Sequence, residues 1–321
     1  MAAISHHPVT SWQARLIGRG MRIAVRPLLT HAPLTDWTMA RLRWADLAGS
    51  ALALPEGATA IRRSFGEFDA ELVTGAGVSD SAPSIVIYFH GGAFVMGGLR
   101  SHRRLVSRIS SAAGSPVLQV NYRQLPAVTL EHTVDDCLRV YRELLDDGYP
   151  ASRIAFAGDS AGGYLVFAVA HAAMAQGLPV PAAIAALSPW VDLTCKYSTD
   201  HPNARTDSYL PIRQLSAIGK RLAPAGDPLL ALLEADLARM PPTLIQVGST
   251  EVLRSDAELM TDRLSSAGVQ VALQIWDRQI HVFQATADVV PEANAAIGEL
   301  GRFIHEKLAG PLRTVNKKVA T

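Results

Sequence analysis

The chain has 321 residues, enough for one large α/β domain with its own core or for two smaller ones. Its formal net charge is +1 and charged residues make up 18%, so there is no broad basic field to hold nucleic acid. The two cysteines, Cys137 and Cys195, have neither metal-ligand spacing nor the density of a disulfide scaffold, and Cys137 falls on the apolar side of a helical pattern, where it reads as core.

The first residues, MAAISHHPVTSW, carry no apolar run of signal-peptide type. The longest uncharged run, between Asp159 and Asp192, is broken by GLPVP at Gly177 to Pro181. A buried helix followed by a buried strand is therefore expected there, not a membrane span. A cytoplasmic protein is the expectation.

Residues 9 to 29 have the pattern of an amphipathic helix. Arg15, Arg19, Arg22 and Arg26 fall on one stripe, and Trp12, Leu16, Ile17, Met21, Ala24 and Leu28 on the other face. The apolar face is expected to lie on the body of the protein. A helix resting on a membrane surface is the alternative. A second helix is predicted over Asp36 to Leu47, with Trp37 and Trp44 on one side.

From residue 60 the pattern alternates. Apolar, β-branched runs occur at Ser84 to Phe89, Val117 to Val120, Ile154 to Ala157, Ile184 to Leu187, Leu244 to Val247 and Val269 to Ile275. Helical patterns follow at Arg103 to Ala113, Thr133 to Asp146, Ala161 to Gln176, Asp256 to Ala267 and Ala293 to Leu308. This alternation predicts an α/β fold with a mostly parallel sheet covered on both faces. The stretch from 193 to 226 breaks the rhythm and is expected to be a lid or binding element. Residues 311 to 321 read as a flexible basic tail.

The chemistry centres on IAFAGDSAGGY, residues 154 to 164, where a strand runs into Gly-Asp-Ser-Ala-Gly and a helix follows. A serine on such a turn is strained, and glycines two positions away on either side relieve the crowding. Ser160 is thus the candidate nucleophile. The second piece, FHGGAF at 89 to 94, follows another strand. Glycines there let backbone N–H groups approach an oxyanion, so the hole is assigned to Gly91, Gly92 and Ala161. His90 is expected to shape the loop, not to act as base.

A serine hydroxyl needs a general base. In an α/β-hydrolase arrangement the order is Ser, acid, His, each on a loop after a strand. His281 is the one histidine in the right window. The acid must follow the strand TLIQV, and GSTEVLRSDAEL offers Glu251, Asp256 and Glu258. Ser255 with Glu258 reads as a capping box and Asp256 as a first-turn residue, leaving Glu251 as the orienting acid and Asp256 as the alternative.

These residues resemble the hormone-sensitive lipase family of bacterial esterases (family IV), within the α/β-hydrolase superfamily. The resemblance runs from about 60 to 308. It rests on HGGAF, NYR at 121 to 123, GDSAGG at 158 to 163, SPWVDL at 188 to 193, PPTLIQVGSTEVLRSD at 241 to 256 and HVF at 281 to 283. It implies an eight-stranded sheet, a helical cap, and cofactor-free ester hydrolysis through an acyl-enzyme. By analogy the cap comprises the helices of residues 1 to 50 and the segment 193 to 226, with the catalytic domain over 51 to 310. A homodimer is expected on the same ground. The chain departs from the family pattern in Ala93, where a third glycine is usual, in Glu251, where aspartate is usual, and in the loop Gln124 to Val128.

The expected partner is a small ester, of short or medium acyl chain because Trp37, Phe94, Tyr164, Trp190 and Tyr209 are candidates to line the pocket. Lactone hydrolysis, for which similar sequences are sometimes assigned to monoterpene lactones, and amide deacetylation are alternatives. A non-catalytic receptor on the same fold is more distant, since such receptors typically lose the base.

Overall fold

In the computed structural model, which describes residues 2–42, 44, 46–47 and 53–310, nine strands build one sheet. They are β1 (Ala3–His7), β2 (Thr59–Ser64), β3 (Asp69–Thr74), β4 (Ile85–Phe89), β5 (Val117–Asn121), β6 (Ile154–Asp159), β7 (Ala183–Leu187), β8 (Thr243–Gly248) and β9 (Val271–Trp276). Their order is β1-β9-β8-β7-β6-β4-β5-β3-β2. Pairing is parallel from β1 across to β5, and β3 runs antiparallel to both β5 and β2.

The helices are α1 (Trp12–Gly20), α2 (Arg26–His31), α3 (Asp36–Leu42), α4 (Leu99–Ala113), α5 (Leu130–Asp146), α6 (Ala161–Ala175), α7 (Lys196–Asp200), α8 (Asn203–Thr206), α9 (Ile212–Leu222), α10 (Arg254–Ser266) and α11 (Pro291–Ala309). A sheet covered on both faces needs strands apolar on both sides, and β4, β6 and β7 are buried at every position. In β4, Ile85, Ile87 and Phe89 join the core with α5 and α6, while Val86 and Tyr88 join the core with α4 and α11. The uncharged run after Asp159 forms the buried helix α6 and the buried strand β7. Cys137 is fully buried in α5. Among the described residues no helix is long and apolar enough to cross a membrane.

The sheet has nine strands where eight are expected. The additional strand is β1, and it moves residues 3–7 from the cap to the sheet edge. Four of its five residues are exposed, so it carries no apolar signal in sequence; backbone pairing to β9 holds it. Next to it, Ser11 fastens the chain to α11. Its N–H and hydroxyl donate to Glu292 Oε1 and Oε2 at 2.5 and 2.8 Å.

The N-terminal helix differs from expectation in which face it buries. α1 continues through a π-helical turn at Met21–Val25 into α2. Ala14 is buried and Ile17 and Met21 pack against the core, but Trp12, Leu16 and Leu28 are 70%, 59% and 72% exposed. Arg22 and Arg26 turn toward the body instead. Arg22 donates to Thr206 O at 2.8 Å, and Arg26 donates to Ala204 O at 3.1 Å and to Asp207 O. Carbonyls at the end of α8 are strong acceptors that periodicity does not reveal.

The segment 193–226 lies against these helices. Gln214 on α9 donates to Thr30 O and Ala32 O at 2.8 and 3.1 Å, and Arg221 pairs with Asp36. α3 ends at Leu42, short of the predicted Leu47; Arg43, Ala45 and 48–52 lie outside the described residues, as does the tail 311–321.

Candidate active site

The parallel strands β4, β6, β7, β8 and β9 all deliver their carboxyl ends to one edge of the sheet, where ligands bind in open α/β sheets. Strain collects there. Among the described residues seven non-glycine residues have positive φ, and all seven, Ala93, Phe94, Ser160, Ser188, Cys195, Arg278 and Val282, lie on the segments that follow these strands.

β6 ends at Asp159 and α6 begins at Ala161, so Ser160 occupies the turn between them, at φ 53° and ψ −115°. Its N–H donates to Leu187 O at 2.9 Å, and its carbonyl accepts from Trp190 N–H at 3.0 Å. The flanking glycines are required by space. A Cβ on Gly162 would lie 1.9 Å from Phe89 O, and one on Gly158 would lie 2.5 Å from Gly162 O.

Glu251 and His281 are brought together and buried, at 1% and 5% exposure. His281 Nδ1 is 2.7 Å from Glu251 Oε2. Glu251 Oε1 accepts from Gly248 N–H at 2.5 Å and from the Ser188 hydroxyl at 2.8 Å. Burial pushes the Glu251 carboxyl above its ordinary value, while the His281 contact, the Gly248 N–H and the Ser188 hydroxyl oppose that rise. Ser160 Oγ makes no hydrogen bond among the described residues.

Asp256 is spoken for elsewhere. Its Oδ2 accepts from Val191 N–H and Asp192 N–H, each at 2.8 Å, and its Oδ1 accepts from Ser198. Burial pushes this carboxyl up to about 7. The predicted capping box does not form. α10 starts two residues earlier, at Arg254, Ser255 Oγ donates to Val252 O at 3.1 Å, and Glu258 pairs with Arg254 at 2.8 Å. The arginine one turn back competes for the glutamate.

The loop after β4 corrects one member of the expected hole. The Gly91 N–H donates to Asp159 Oδ1 at 3.0 Å and is not available to a substrate. The N–H groups of Gly92, Ala93 and Ala161 have no acceptor among the described residues. Gly92 has φ 120°, and a Cβ there would lie 2.0 Å from Met96 O, so only glycine fits. Ala93 keeps its N–H at φ 54°.

Asp159 anchors this loop through a buried network. Tyr88 donates to its Oδ1 at 2.6 Å, and His102 Nε2 lies 3.6 Å away. Burial alone would raise Asp159 and lower His102. The attraction between them reverses both, helped at His102 by the Gly98 carbonyl and the Asp46 carboxylate. His90 stacks on Tyr122 with centroids 4.4 Å apart, and burial with its neighbour His102 holds it low, at about 4. His90 is therefore a neutral loop-shaping residue, its Nδ1 bonded to Gly91 O at 2.7 Å.

Phe94, Tyr164 and Trp190 form one buried aromatic cluster, with Phe94 centroids 6.0 and 6.1 Å from the other two. The Tyr164 hydroxyl donates to Leu229 O at 2.6 Å. Tyr209 faces the His281 ring at 5.9 Å. Trp37 stands apart, 63% exposed beneath the Arg41 guanidinium.

Three further residues, with no role predicted from the sequence, bond to the loops that carry Glu251 and His281. Ser188, at φ 47°, bonds Glu251 and accepts from Val282 N–H at 3.1 Å, joining the acid and base loops. Asn203 donates to Ser249 O and Glu251 O, both at 2.9 Å, and Asp207 Oδ2 accepts from Val252 N–H at 2.7 Å. Ser188 opens the SPWVDL motif, a signal that was present; the two cap residues had none.

The chain matches the alpha/beta hydrolase fold family over residues 86–285. It is 36% identical over 306 residues to a protein of Mycobacterium tuberculosis named carboxylesterase/phospholipase LipF, covering 92% of this chain and 82% of that one. It is 37% identical over 300 residues to esterase LipU of the same organism, covering 88% and 99%. The crystal structure of an esterase from the bacterial hormone-sensitive lipase family superposes with a TM-score of 0.84 at 33% identity, covering 94% of this chain and 99% of that one. With its mostly parallel sheet, its serine turn and its buried Glu251–His281 pair on one edge, the chain belongs to the hormone-sensitive lipase family of α/β-hydrolase-fold esterases.

Proposed function

We propose that the protein is a carboxylesterase that hydrolyses short- to medium-chain acyl esters through a Ser160–His281–Glu251 triad and an acyl-enzyme. The observation that carries this reading is the buried contact of 2.7 Å between Glu251 Oε2 and His281 Nδ1. A carboxylate there holds the proton on Nδ1 and leaves Nε2 basic. Names of relatives such as carboxylesterase LipF and esterase LipU support the same class.

In this reading Ser160 Oγ attacks the ester carbonyl and His281 Nε2 takes its proton. Glu251 stabilises the imidazolium. The oxyanion is received by the N–H groups of Gly92, Ala93 and Ala161, the last at the start of α6, where the helix dipole also favours negative charge. His281 then protonates the leaving alcohol and activates water for deacylation. The Phe94–Tyr164–Trp190 cluster is rigid and bulky, which favours a short acyl pocket.

The test is turnover of p-nitrophenyl esters from acetate to palmitate by the purified protein beside Ser160→Ala. A maximum at short or medium chains that disappears in the variant is the expected result. Folded protein without turnover on any chain overturns the esterase reading and directs attention to lactones and amides.

A further inference from the structure

We propose that the outer face of the N-terminal helical run, α1 through α2, is a lipid-binding surface that seats the protein on an anionic lipid–water interface. Three observations converge on that face. Exposed large apolar side chains concentrate in the N-terminal segment: of the twelve among the described residues, nine lie between Ile4 and Leu47, and four of those are on the helical run. On the helical run itself Trp12, Leu16, Ile23 and Leu28 are all more than half exposed, with Ile23 at 78%. Trp12 and Leu16, four residues apart in α1, share one side of the helix, and Ile23 follows them in the π-helical turn at Met21–Val25. Scattered exposed residues need no explanation, but this grouping of large exposed apolar side chains on one short helical run marks an interaction site.

The opposite face is already used. Ala14, Ile17 and Met21 pack inward, and Arg22 and Arg26 are held by carbonyls of the cap. The outer stripe therefore has no partner within the chain among the described residues.

Charge selects the occupant. Residues 1 to 35 contain four arginines and no Asp or Glu. Arg15 and Arg19 flank the apolar stripe, are exposed, and pair with no acid among the described residues. A second copy placed face to face would set this cationic stripe against itself. An anionic lipid surface meets both halves of the pattern, apolar side chains in the acyl boundary and guanidinium groups at the headgroups. Tryptophan suits that depth, and Trp12 stands at the helix start.

The proposal is tested by sedimentation of the full chain with vesicles of phosphatidylcholine alone and with about 30% phosphatidylglycerol, where anionic headgroups give the surface its potential. Binding is expected to the mixed vesicles, weakly or not at all to the neutral ones, and to fall as salt is raised. Arg15→Gln with Arg19→Gln is expected to lower partitioning by about fivefold per charge. Trp12→Ser, Leu16→Ser and Ile23→Ser together are expected to abolish it. Both variants should keep the far-UV spectrum and the solution turnover of p-nitrophenyl butyrate, because all five side chains are exposed; loss of vesicle binding with turnover intact separates this proposal from the esterase reading. Equal binding of the variants and wild type overturns it. So does absence of wild-type vesicle binding, and concentration-dependent dimerisation lost in the Trp12/Leu16/Ile23 variant would then reassign the stripe to a second copy.

Discussion

Asp159 Oδ1 accepts the Gly91 N–H at 3.0 Å, so the residue before Ser160 holds the first glycine of the loop after β4. The Tyr88 hydroxyl and His102 Nε2 meet the same oxygen, at 2.6 and 3.6 Å. The two strands β4 and β6 are thereby locked at their carboxyl ends, and the donors of Gly92 and Ala93 are positioned without being used. Asp159→Asn keeps an acceptor for Gly91 but removes the charge that faces His102. We expect kcat to fall by about ten- to a hundredfold, less than the complete loss of a hole donor, with KM nearly unchanged. An unchanged kcat would show that the loop holds itself.

Glu251→Gln tests the acid. The amide oxygen can still accept from Gly248 and Ser188, so the loop should persist. The amide nitrogen must then face His281 Nδ1, which puts the ring proton on Nε2, where it cannot accept from Ser160. The expected loss in kcat is about 10³- to 10⁴-fold, with little change in Tm. Asp256→Asn should stay active; the opposite ranking of the two variants would transfer the role to Asp256.

Asp256 also sets a pH dependence of stability. Its carboxyl moves from 3.8 to about 7 on folding, because burial disfavours the charge. A group whose pKa is raised in the folded state stabilises below its unfolded value and loses that contribution as pH rises through the folded one. Relative to Asp256→Asn, wild type should therefore lose stability between about pH 4 and 7, by an amount on the order of 4 kcal/mol at most. Tm of the two proteins across that range measures it; a constant difference would mean the carboxyl is ionised throughout.

Asn203 ties the segment 193–226 to the loop that carries Glu251. Its side-chain amide bridges Ser249 O and Glu251 O, both at 2.9 Å. Asn203→Ala frees the loop that aims Glu251, and kcat is expected to drop by about tenfold or more, since small misplacements of a catalytic group are costly. Gln214→Ala removes bonds to Thr30 O and Ala32 O within the cap and serves as control, with kcat unchanged. Equal effects would mean that general loosening of the cap is responsible.

Why some of this is legible in sequence and some is not follows from distance along the chain. β4, β6, β7 and β8 announce themselves because burial on both faces demands continuous apolar runs, and the Ser160 turn because glycine is the only solution to contacts of 2 to 3 Å with neighbouring backbone. β1 is an exposed edge strand held by backbone bonds, which leave no mark on side-chain pattern. The N-terminal helix has apolar residues on two faces, so periodicity could not say which one is buried.

The primary structure by itself determined the α/β alternation, the glycine-flanked turn at Ser160, and the short loops that carry Glu251 and His281, because each of these is a local requirement on residue type. Tertiary structure alone decided which glycine N–H is spent on Asp159, which of two carboxylates meets His281, and which face of the first helix is left to solvent. Those outcomes depend on partners more than sixty, about thirty and nearly two hundred residues away, brought together by packing and by the need to satisfy every buried polar group.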